Sequence, residues 1–257
     1  MRDLHVHTLF SSDSHAPMES HVQRALTLGL ETVCFTDHVD YNPVDFGYLF
    51  YQPDAFFAEF DALKARFAGR VELLAGMEFG ETHLYREQFR ELARRPYDYV
   101  IGSVHWVDDV FPGDAAKRGI LAEEYFDRYW RVMLEMVKGG GFDALGHVDF
   151  PKRYYRELRY SEDVVREIFA RLLDSGAVIE INTSSLRKGC DAPMPGEALL
   201  ALYREAGGRR VTVGSDAHTP EDLNADYGAA AALIRRYGLE EVKYVGRKQI
   251  PVATPGR

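Results

Sequence analysis

The segment RDLHVHTLFSSDSH, residues 2–15, places His5 and His7 on either side of a single valine. Residues two apart on a β-strand point to the same face, so both imidazoles face one side of the sheet that this segment joins. The segment lacks the positive start and the apolar run of a secretory signal peptide. We therefore interpret residues 4–7 as a strand and the two histidines as a candidate metal-binding pair.

Short apolar or β-branched runs recur along the chain, each followed by a polar cluster and an amphipathic helical stretch. The runs are LHVH (4–7), TVCFTDH (32–38), VELLAGMEFG (71–80), YVIGSVH (99–105), FDALGHVDF (142–150), AVIEINTS (177–184) and RVTVGSDAH (210–218). Helix punctuation agrees: Pro17 and Gly29 bracket one helix, Ser161 is placed to cap a second, and Thr219 opens a third. Seven strand–helix alternations predict an α/β fold, a distorted (β/α)7 barrel.

Composition limits the class of protein. The 257 residues are 46% apolar, which is enough for a sizeable core, and without a linker we expect a single domain over residues 1–257. No apolar run approaches the roughly 18 residues of a membrane helix, so no membrane partner is expected. Two cysteines, Cys34 and Cys190, favour a reducing cytoplasm over a disulfide framework. The net charge of −9 argues against nucleic acid, which leaves a small-molecule partner; the oligomeric state stays open.

Metal-ligand side chains stand at the carboxyl ends of the predicted strands, where parallel barrels place their chemistry. They are His5, His7, Asp37, His38, Glu78, His105, His147, Asp149, Asp216 and His218. Six of the nine histidines fall in this set, and packing does not explain them, because an unpaired buried polar group costs about 2 kcal/mol or more. Imidazoles and carboxylates without cysteine suit zinc, manganese or iron, and the donors outnumber those that one ion needs. The sequence therefore predicts two to three divalent metal ions.

The motifs DLHVHT, FTDH, GMEFG, IGSVH, LGHVDF and GSDAH, in this order between residues 3 and 218, resemble those of the polymerase-and-histidinol-phosphatase (PHP) superfamily of metal-dependent phosphoesterases. The resemblance implies a PHP-type barrel with a trinuclear metal site at its mouth. It implies one ion on His5, His7, Glu78 and Asp216, a second on Glu78, His105 and His147, and a third on Asp13, His38 and His218. Many relatives carry histidine at the position of Asp13, so His15 is an alternative ligand.

The segments GHVDFPKRY (146–154) and EINTSSLRKG (180–189) are most similar to the histidinol-phosphate phosphatase branch of the superfamily. This resemblance implies a phosphoric monoester hydrolase of histidine biosynthesis that converts L-histidinol phosphate to L-histidinol and phosphate. The implied nucleophile is a hydroxide that bridges two metal ions, with Glu78 setting the spacing between them.

Cationic and polar side chains after the fifth and sixth strands are candidates for binding the phosphoryl group, because they lie on the functional rim. Candidate substrate-binding residues are Lys152, Arg153, Asn182 and Arg187, and candidate catalytic residues are Glu78, Asp216, His218, Arg153 and Arg187. For Asn182 and Ser184, ordinary turn capping is an equal alternative. Asp37 points away from His38 and is expected to hydrogen-bond a ligand or a loop.

Two insertions, residues 39–53 and 106–119, follow ligand strands and are rich in aromatic and acidic residues. Both are expected to overhang the barrel mouth. Histidinol phosphate carries an amine and an imidazole, so we hypothesise an acidic site for its cationic end and an aromatic residue stacked on its ring. The candidates are Asp40, Asp45, Asp108 and Asp109 for the first role, and Trp106 and Tyr48 for the second.

Three alternatives stay open. A PHP phosphoesterase acting on nucleotides, short oligonucleotides or phosphotyrosine would use the same cluster. A non-catalytic metal-binding module would bind ions without hydrolysing any phosphate ester. A mononuclear amidohydrolase-like enzyme would hold one ion and leave His105, His147 and His218 partly redundant.

Overall fold

Strands and helices alternate along the chain as the sequence predicts. The computed structural model describes residues 1–253. The strands are β1 (Arg2–Val6), β2 (Thr32–Phe35), β3 (His38–Val39), β4 (Glu72–Gly80), β5 (Tyr99–Ser103), β6 (Ala144–Leu145), β7 (Val178–Asn182), β8 (Arg210–Gly214), β9 (Glu240–Val245) and β10 (Lys248–Pro251). The helices are α1 (Met18–Leu28), α2 (Pro53–Arg66), α3 (Arg86–Leu92), α4 (Pro112–Lys117), α5 (Ala122–Gly139), α6 (Lys152–Tyr155), α7 (Glu162–Asp174), α8 (Ser184–Arg187), α9 (Glu197–Glu205) and α10 (Tyr227–Arg236).

Seven parallel strands form the barrel wall in the order β1-β2-β4-β5-β6-β7-β8, and the short β3 pairs with β4. The wall closes where β1 meets the segment after β8. The backbone N–H of His7 donates to the carbonyl of Ala217 at 2.8 Å, and the N–H of Ala217 donates to the carbonyl of His5 at 3.3 Å. The predicted distorted seven-stranded barrel is confirmed. Its closure brings the two ends of the chain's motif series side by side.

Two apolar clusters divide the core. The larger joins the inner faces of the helices to one face of the strands; in α5, for example, Phe126, Trp130 and Met133 are buried. The smaller fills the inside of the barrel and contains Leu4, Cys34, Leu74, Tyr99, Ile101, Ala144, Val178, Val242 and Tyr244. Cys34 is thus a core residue, as the sequence indicates. The side chains predicted as metal ligands lie outside this apolar filling, at the carboxyl ends of the strands.

The strand pattern above did not predict the hairpin of β9 and β10. Strand β9 runs parallel to β8 and antiparallel to β10. Its Val242 and Tyr244 enter the interior cluster, where the Tyr244 ring stacks on Tyr99 at 5.3 Å between centroids. The Tyr244 hydroxyl donates to the carbonyl of Asp143 at 3.0 Å. The hairpin therefore supplies part of the apolar filling beneath the functional end.

The helix boundaries follow the predicted punctuation in two of three cases. Helix α1 begins at Met18, directly after Pro17, and ends before Gly29, which has a φ of +66°. Helix α7 follows Ser161, whose side chain makes no capping hydrogen bond. The prediction of a helix that begins at Thr219 is wrong: a single 3-10 turn follows Thr219, and α10 begins only at Tyr227.

Across residues 1–253, no helix combines the length and the apolar character needed to cross a bilayer.

Gly214, at the end of β8, tests how tightly the barrel closes. A Cβ there would lie 2.3 Å from the Cβ of His5 and 2.4 Å from Oε1 of Glu180. We expect Gly214→Ala to lower the free energy of unfolding in urea by about 2 kcal/mol or more, since neither strand can yield without displacing the other. Gly228→Ala is the matched control, because nothing lies within 4 Å of its Cβ position. Equal stability of the two variants would contradict this packing.

Candidate metal centre

The carboxyl ends of the barrel strands bring the nine predicted ligands into one cluster: His5, His7, Asp13, His38, Glu78, His105, His147, Asp216 and His218. Three overlapping triads have donor atoms within 4.8 Å of one another. They are His5, His7 and Asp216; His38, Glu78 and His105; and His7, His38 and His218. Residues that are more than 200 positions apart in the sequence thus converge at the barrel mouth.

Glu78 lies at the centre of the cluster and is fully buried. Its Oε2 is 3.2 Å from Nε2 of His5 and 3.0 Å from Nδ1 of His38. Its Oε1 is 2.8 Å from Nε2 of His147 and 3.4 Å from Nε2 of His105. The two carboxylate oxygens face different imidazoles, which is the arrangement required of a carboxylate that bridges two ions.

Asp216 and Asp13 extend the cluster on its other side. Oδ1 of Asp216 is 3.2 Å from Nε2 of His7, and the Asp216 backbone has a φ of +55°, a left-handed conformation. Oδ2 of Asp13 is 3.0 Å from Nε2 of His218. His15 is exposed, whereas Oδ2 of Asp13 also lies 3.7 Å from Nε2 of His38, which favours Asp13 as the ligand; the choice between the two stays a prediction.

Several buried nitrogen and oxygen atoms of the cluster that could bind a metal ion have no hydrogen-bond partner. They are Nε2 of His5, Nε2 of His7, Nδ1 of His38 and Oε2 of Glu78. Leaving such atoms unsatisfied is costly, and an oxygen and three nitrogens that converge are the donor set of a divalent cation. Neither cysteine lies in the cluster, so the residues fit zinc, manganese or iron and do not form a thiolate site.

Burial and mutual charge set the protonation of these groups. Burial alone would raise the pKa of Glu78, but the adjacent imidazoles of His5, His38 and His105 hold it well below its usual range. Burial lowers the pKa of His105, yet the Glu78 carboxylate raises it to about 9. The pKa of His7 is well below its usual range because the ring is buried beside His38. These shifts favour an ionised Glu78 carboxylate and a neutral His7 ring.

A cavity of about 620 Å³, partly open to solvent, lies over the cluster. Its lining consists of Ser12, Asp13, His38, Asp40, Asp45, Phe46, His105, Phe111, His147, Phe150, Arg153, Tyr154, Asp216 and His218.

Comparison with known proteins agrees with this geometry. The PHP domain family matches residues 3–184. The chain belongs to the PHP family. It is 30% identical to the probable histidinol-phosphatase of Clostridium acetobutylicum, over 95% of this chain and 97% of that protein. It is 28% identical to the histidinol-phosphatase of Lactococcus lactis, over 93% of this chain and 92% of that protein.

A solved structure agrees over nearly the whole chain. It is the crystal structure of histidinol phosphate phosphatase from Lactococcus lactis complexed with zinc, L-histidinol and phosphate. The TM-score is 0.83 and the sequence identity 26%, with 97% of this chain and 98% of that chain covered. The resemblance inferred from the ordered motifs is confirmed.

In this PHP barrel, Glu180 of β7 is a site residue that the sequence analysis missed. Its Oε1 accepts a hydrogen bond from Nδ1 of His5 at 2.6 Å, which leaves Nε2 of that ring free to bind metal. Its Oε2 accepts from the backbone N–H of His147 at 3.0 Å and from the amide of Asn182 at 3.2 Å. The available signal was strand alternation, since Glu180 lies two residues before Asn182 and so faces the same side.

A second network orients His7. Asp37 accepts hydrogen bonds from the backbone N–H of Thr8 at 2.6 Å and from the hydroxyl of Ser11 at 2.7 Å. Oγ of Ser11 lies 3.0 Å from Nδ1 of His7. Asp37, expected to bond a ligand or a loop, therefore fixes the loop after β1, and through Ser11 it fixes the ring of His7.

The two arginines predicted to bind the phosphoryl group differ in their position relative to the cavity. Arg153 lines the cavity, with Nη1 3.9 Å from Oδ2 of Asp216. Arg187 does not line it. Its Nη2 donates to the carbonyl of Ser215 at 2.6 Å, and its Nε pairs with Asp222 at 3.1 Å. Arg187 thus supports the strand end that carries Asp216.

Lys152 and Asn182 also lie outside the cavity wall. The Lys152 ammonium pairs with Asp149 at 2.8 Å, so its charge is already neutralised in the fold. Oδ1 of Asn182 accepts from Ser184, whose hydroxyl donates to Asp216 at 2.9 Å. Asn182 thus contacts a residue that bonds to a candidate ligand, and Asp149 pairs with Lys152 through Oδ2 while its Oδ1 stays unpaired. Substrate contacts by Lys152 and Asn182 stay predictions.

Both insertions reach the cavity, but with few of the proposed residues. The first contributes Asp40, Asp45 and Phe46, and the second contributes Phe111. Asp108 pairs with Arg128, and Asp109 accepts from the side chain of Asn42. The indole N–H of Trp106 donates to Asp45. Tyr48 is exposed and lies outside the lining.

The role of Glu180 can be tested through metal affinity. We expect Glu180→Ala to weaken zinc binding about 10–100-fold, since His5 loses the acceptor that fixes its tautomer and orientation. Glu180→Gln retains a carbonyl acceptor and is expected to lose less. The measurement is equilibrium competition for Zn²⁺ with a fluorescent chelator. Unchanged zinc affinity in both variants would show that Glu180 does not support metal binding.

Proposed function

We propose that this protein is a metal-dependent phosphomonoesterase that hydrolyses L-histidinol phosphate to L-histidinol and phosphate. The observation that carries the proposal is the convergence of unpaired imidazole and carboxylate groups beneath a cavity that opens to solvent. It is supported by relatives named histidinol-phosphatase that align with nearly the whole chain. The related crystal structure, a complex with zinc, L-histidinol and phosphate, supports the same substrate.

We further propose two to three divalent ions, of zinc, manganese or iron. His5, His7, Glu78 and Asp216 would hold the first ion, Glu78, His105 and His147 the second, and Asp13, His38 and His218 the third. When bound, the ions lower the pKa of a coordinated water into the neutral range and offset charge on the phosphoryl oxygens.

The charge of the cavity lining explains why this chain needs cations to bind a phosphate ester. Four aspartates face the cavity, namely Asp13, Asp40, Asp45 and Asp216, against one arginine. The carboxylates repel a phosphate dianion, and imidazoles that bind metal ions are neutral, so the positive charge that holds the phosphoryl group would come from the bound ions and Arg153. Arg153, held over the ring of Phe150 at 5.6 Å, supplies a planar donor for a phosphoryl oxygen.

Among the predicted catalytic residues, Glu78, Asp216 and His218 belong to the ligand cluster and Arg153 to the cavity wall. Arg187 acts through the backbone of Ser215 and Asp216 and is a positioning residue. We place the reaction in histidine biosynthesis, in keeping with the names of the relatives. A single domain over residues 1–257 and a cytoplasmic location stay predictions.

Substrate choice is tested by phosphate release from three esters: L-histidinol phosphate, a nucleoside monophosphate and phosphotyrosine. We expect kcat/KM for histidinol phosphate to exceed the other two by at least about tenfold, because the acidic and aromatic wall suits an amine and an imidazole. Chelation should abolish the activity, and zinc or manganese should restore it. A metal-loaded protein that releases phosphate from none of the esters would indicate a non-catalytic module. Preference for another ester would indicate a different phosphoesterase.

Arg153 is tested against its neighbour Arg156. We expect Arg153→Ala to lower kcat/KM for L-histidinol phosphate by about 100-fold, because the phosphoryl group loses its cationic side-chain donor. Arg156 is exposed and contacts Cys190 outside the cavity, so Arg156→Ala should retain full activity. Similar losses in the two variants would show that helix α6, and not the guanidinium in the cavity, is responsible.

A further inference from the structure

The geometry points to a binding site for an organic cation beside the metal centre, in which the Asp40 carboxylate accepts hydrogen bonds from the substrate's ammonium group. The inference rests on the proposed function and adds the residue that separates a cationic phosphate ester from a neutral one.

The Asp40 carboxylate is buried, with 6% of the residue exposed, and it lines the cavity. Its Oδ1 has no hydrogen-bond partner among the described residues. A buried carboxylate oxygen without a donor is costly, so its persistence at a cavity wall indicates a donor that arrives with the ligand.

Two glycines leave the space in which this carboxylate lies. A Cβ at Gly80 would be 2.7 Å from Oδ1 of Asp40, and a Cβ at Gly47 would be 3.0 Å from Oδ2. The backbone is also held, since the N–H of Leu49 donates to the carbonyl of Asp40 at 3.0 Å. A side chain at either glycine would crowd the oxygens, so Gly47 of the insertion and Gly80 of β4 preserve room beside them.

The other cavity aspartates already have partners. Asp13 bonds with His218, Asp216 accepts from Ser184, and Asp45 accepts from Trp106. Asp40 is therefore the cavity aspartate, among the described residues, that retains a buried unpaired oxygen. This selects Asp40 from the four rim acids that the sequence left open.

The surroundings suit a cation with an aromatic ring. Asp45, Phe46 and Phe111 line the same cavity, which combines a second negative charge with two aromatic faces. Arg153 lies beside Asp216. Asp40 lies near His105 instead, because the Cβ position of Gly80 is 2.7 Å from Oδ1 of Asp40 and 3.7 Å from Nδ1 of His105. A substrate with phosphate at one end and an ammonium at the other can therefore meet both Arg153 and Asp40.

The experiment compares two esters on the zinc-loaded protein: L-histidinol phosphate and the analogue in which hydrogen replaces the amino group. We expect Asp40→Asn to lower kcat/KM for the amine ester about 10–100-fold, the loss of a hydrogen bond to a charged group, and to change the analogue less than about threefold. The inhibition constant of L-histidinol, which carries no phosphate, should rise by a similar factor. Asp109→Asn is the matched control and should leave all three values unchanged.

Asp40→Asn retains the shape of the side chain, and zinc content and thermal unfolding of each variant identify any loss of metal or of fold. Equal losses on both esters would overturn the inference and assign Asp40 to the metal centre. Unchanged kinetics on both would overturn it as well. Failure of the proposed function is seen separately, in the unsubstituted protein: if it hydrolyses neither ester, that function and this assignment fall together.

Discussion

One buried carboxylate organises the functional end of the molecule. Glu78 has no exposed surface, yet four histidines have ring nitrogens within 3.4 Å of its oxygens. Such a concentration of polar groups is tolerated inside a protein only if charges and donors are matched. Imidazoles supply part of that match, and the proposed divalent cations would complete it. The ligand geometry, the cavity above it and the chemistry proposed for it all depend on this requirement.

The barrel provides the means of meeting it. Closure of β1 against the end of β8 places His5 and His7 beside Asp216, and β4 brings Glu78 between them. Apolar side chains occupy the interior, including Val242 and Tyr244 from the C-terminal hairpin. The candidate ligands lie at the carboxyl ends of the strands, where Glu180 and Asp37 orient the imidazoles of His5 and His7. A rigid support of this kind holds the donors in place before any ion arrives.

Local patterns in the sequence predicted the seven barrel strands and the nine candidate ligands, because strand alternation and strand-end donors are visible in a few consecutive residues. Partnerships between distant segments were not visible. In the sequence, Glu180 is an acidic residue within an apolar strand, and only the fold shows that it contacts His5. In the sequence, Lys152 is a cation on the rim of the barrel, and only the fold shows that Asp149 and the carbonyl of Pro193 bind its ammonium. For the same reason the four rim acids could not be ranked before the fold showed which oxygen stays unpaired.

Elemental analysis of the purified, dialysed protein tests the central claim most directly. If the Glu78 carboxylate bridges divalent cations, we expect two to three zinc, manganese or iron ions per chain. A protein that folds and stays stable with no bound metal would contradict that account. A single ion per chain would contradict the bridging role of Glu78 and favour a mononuclear site.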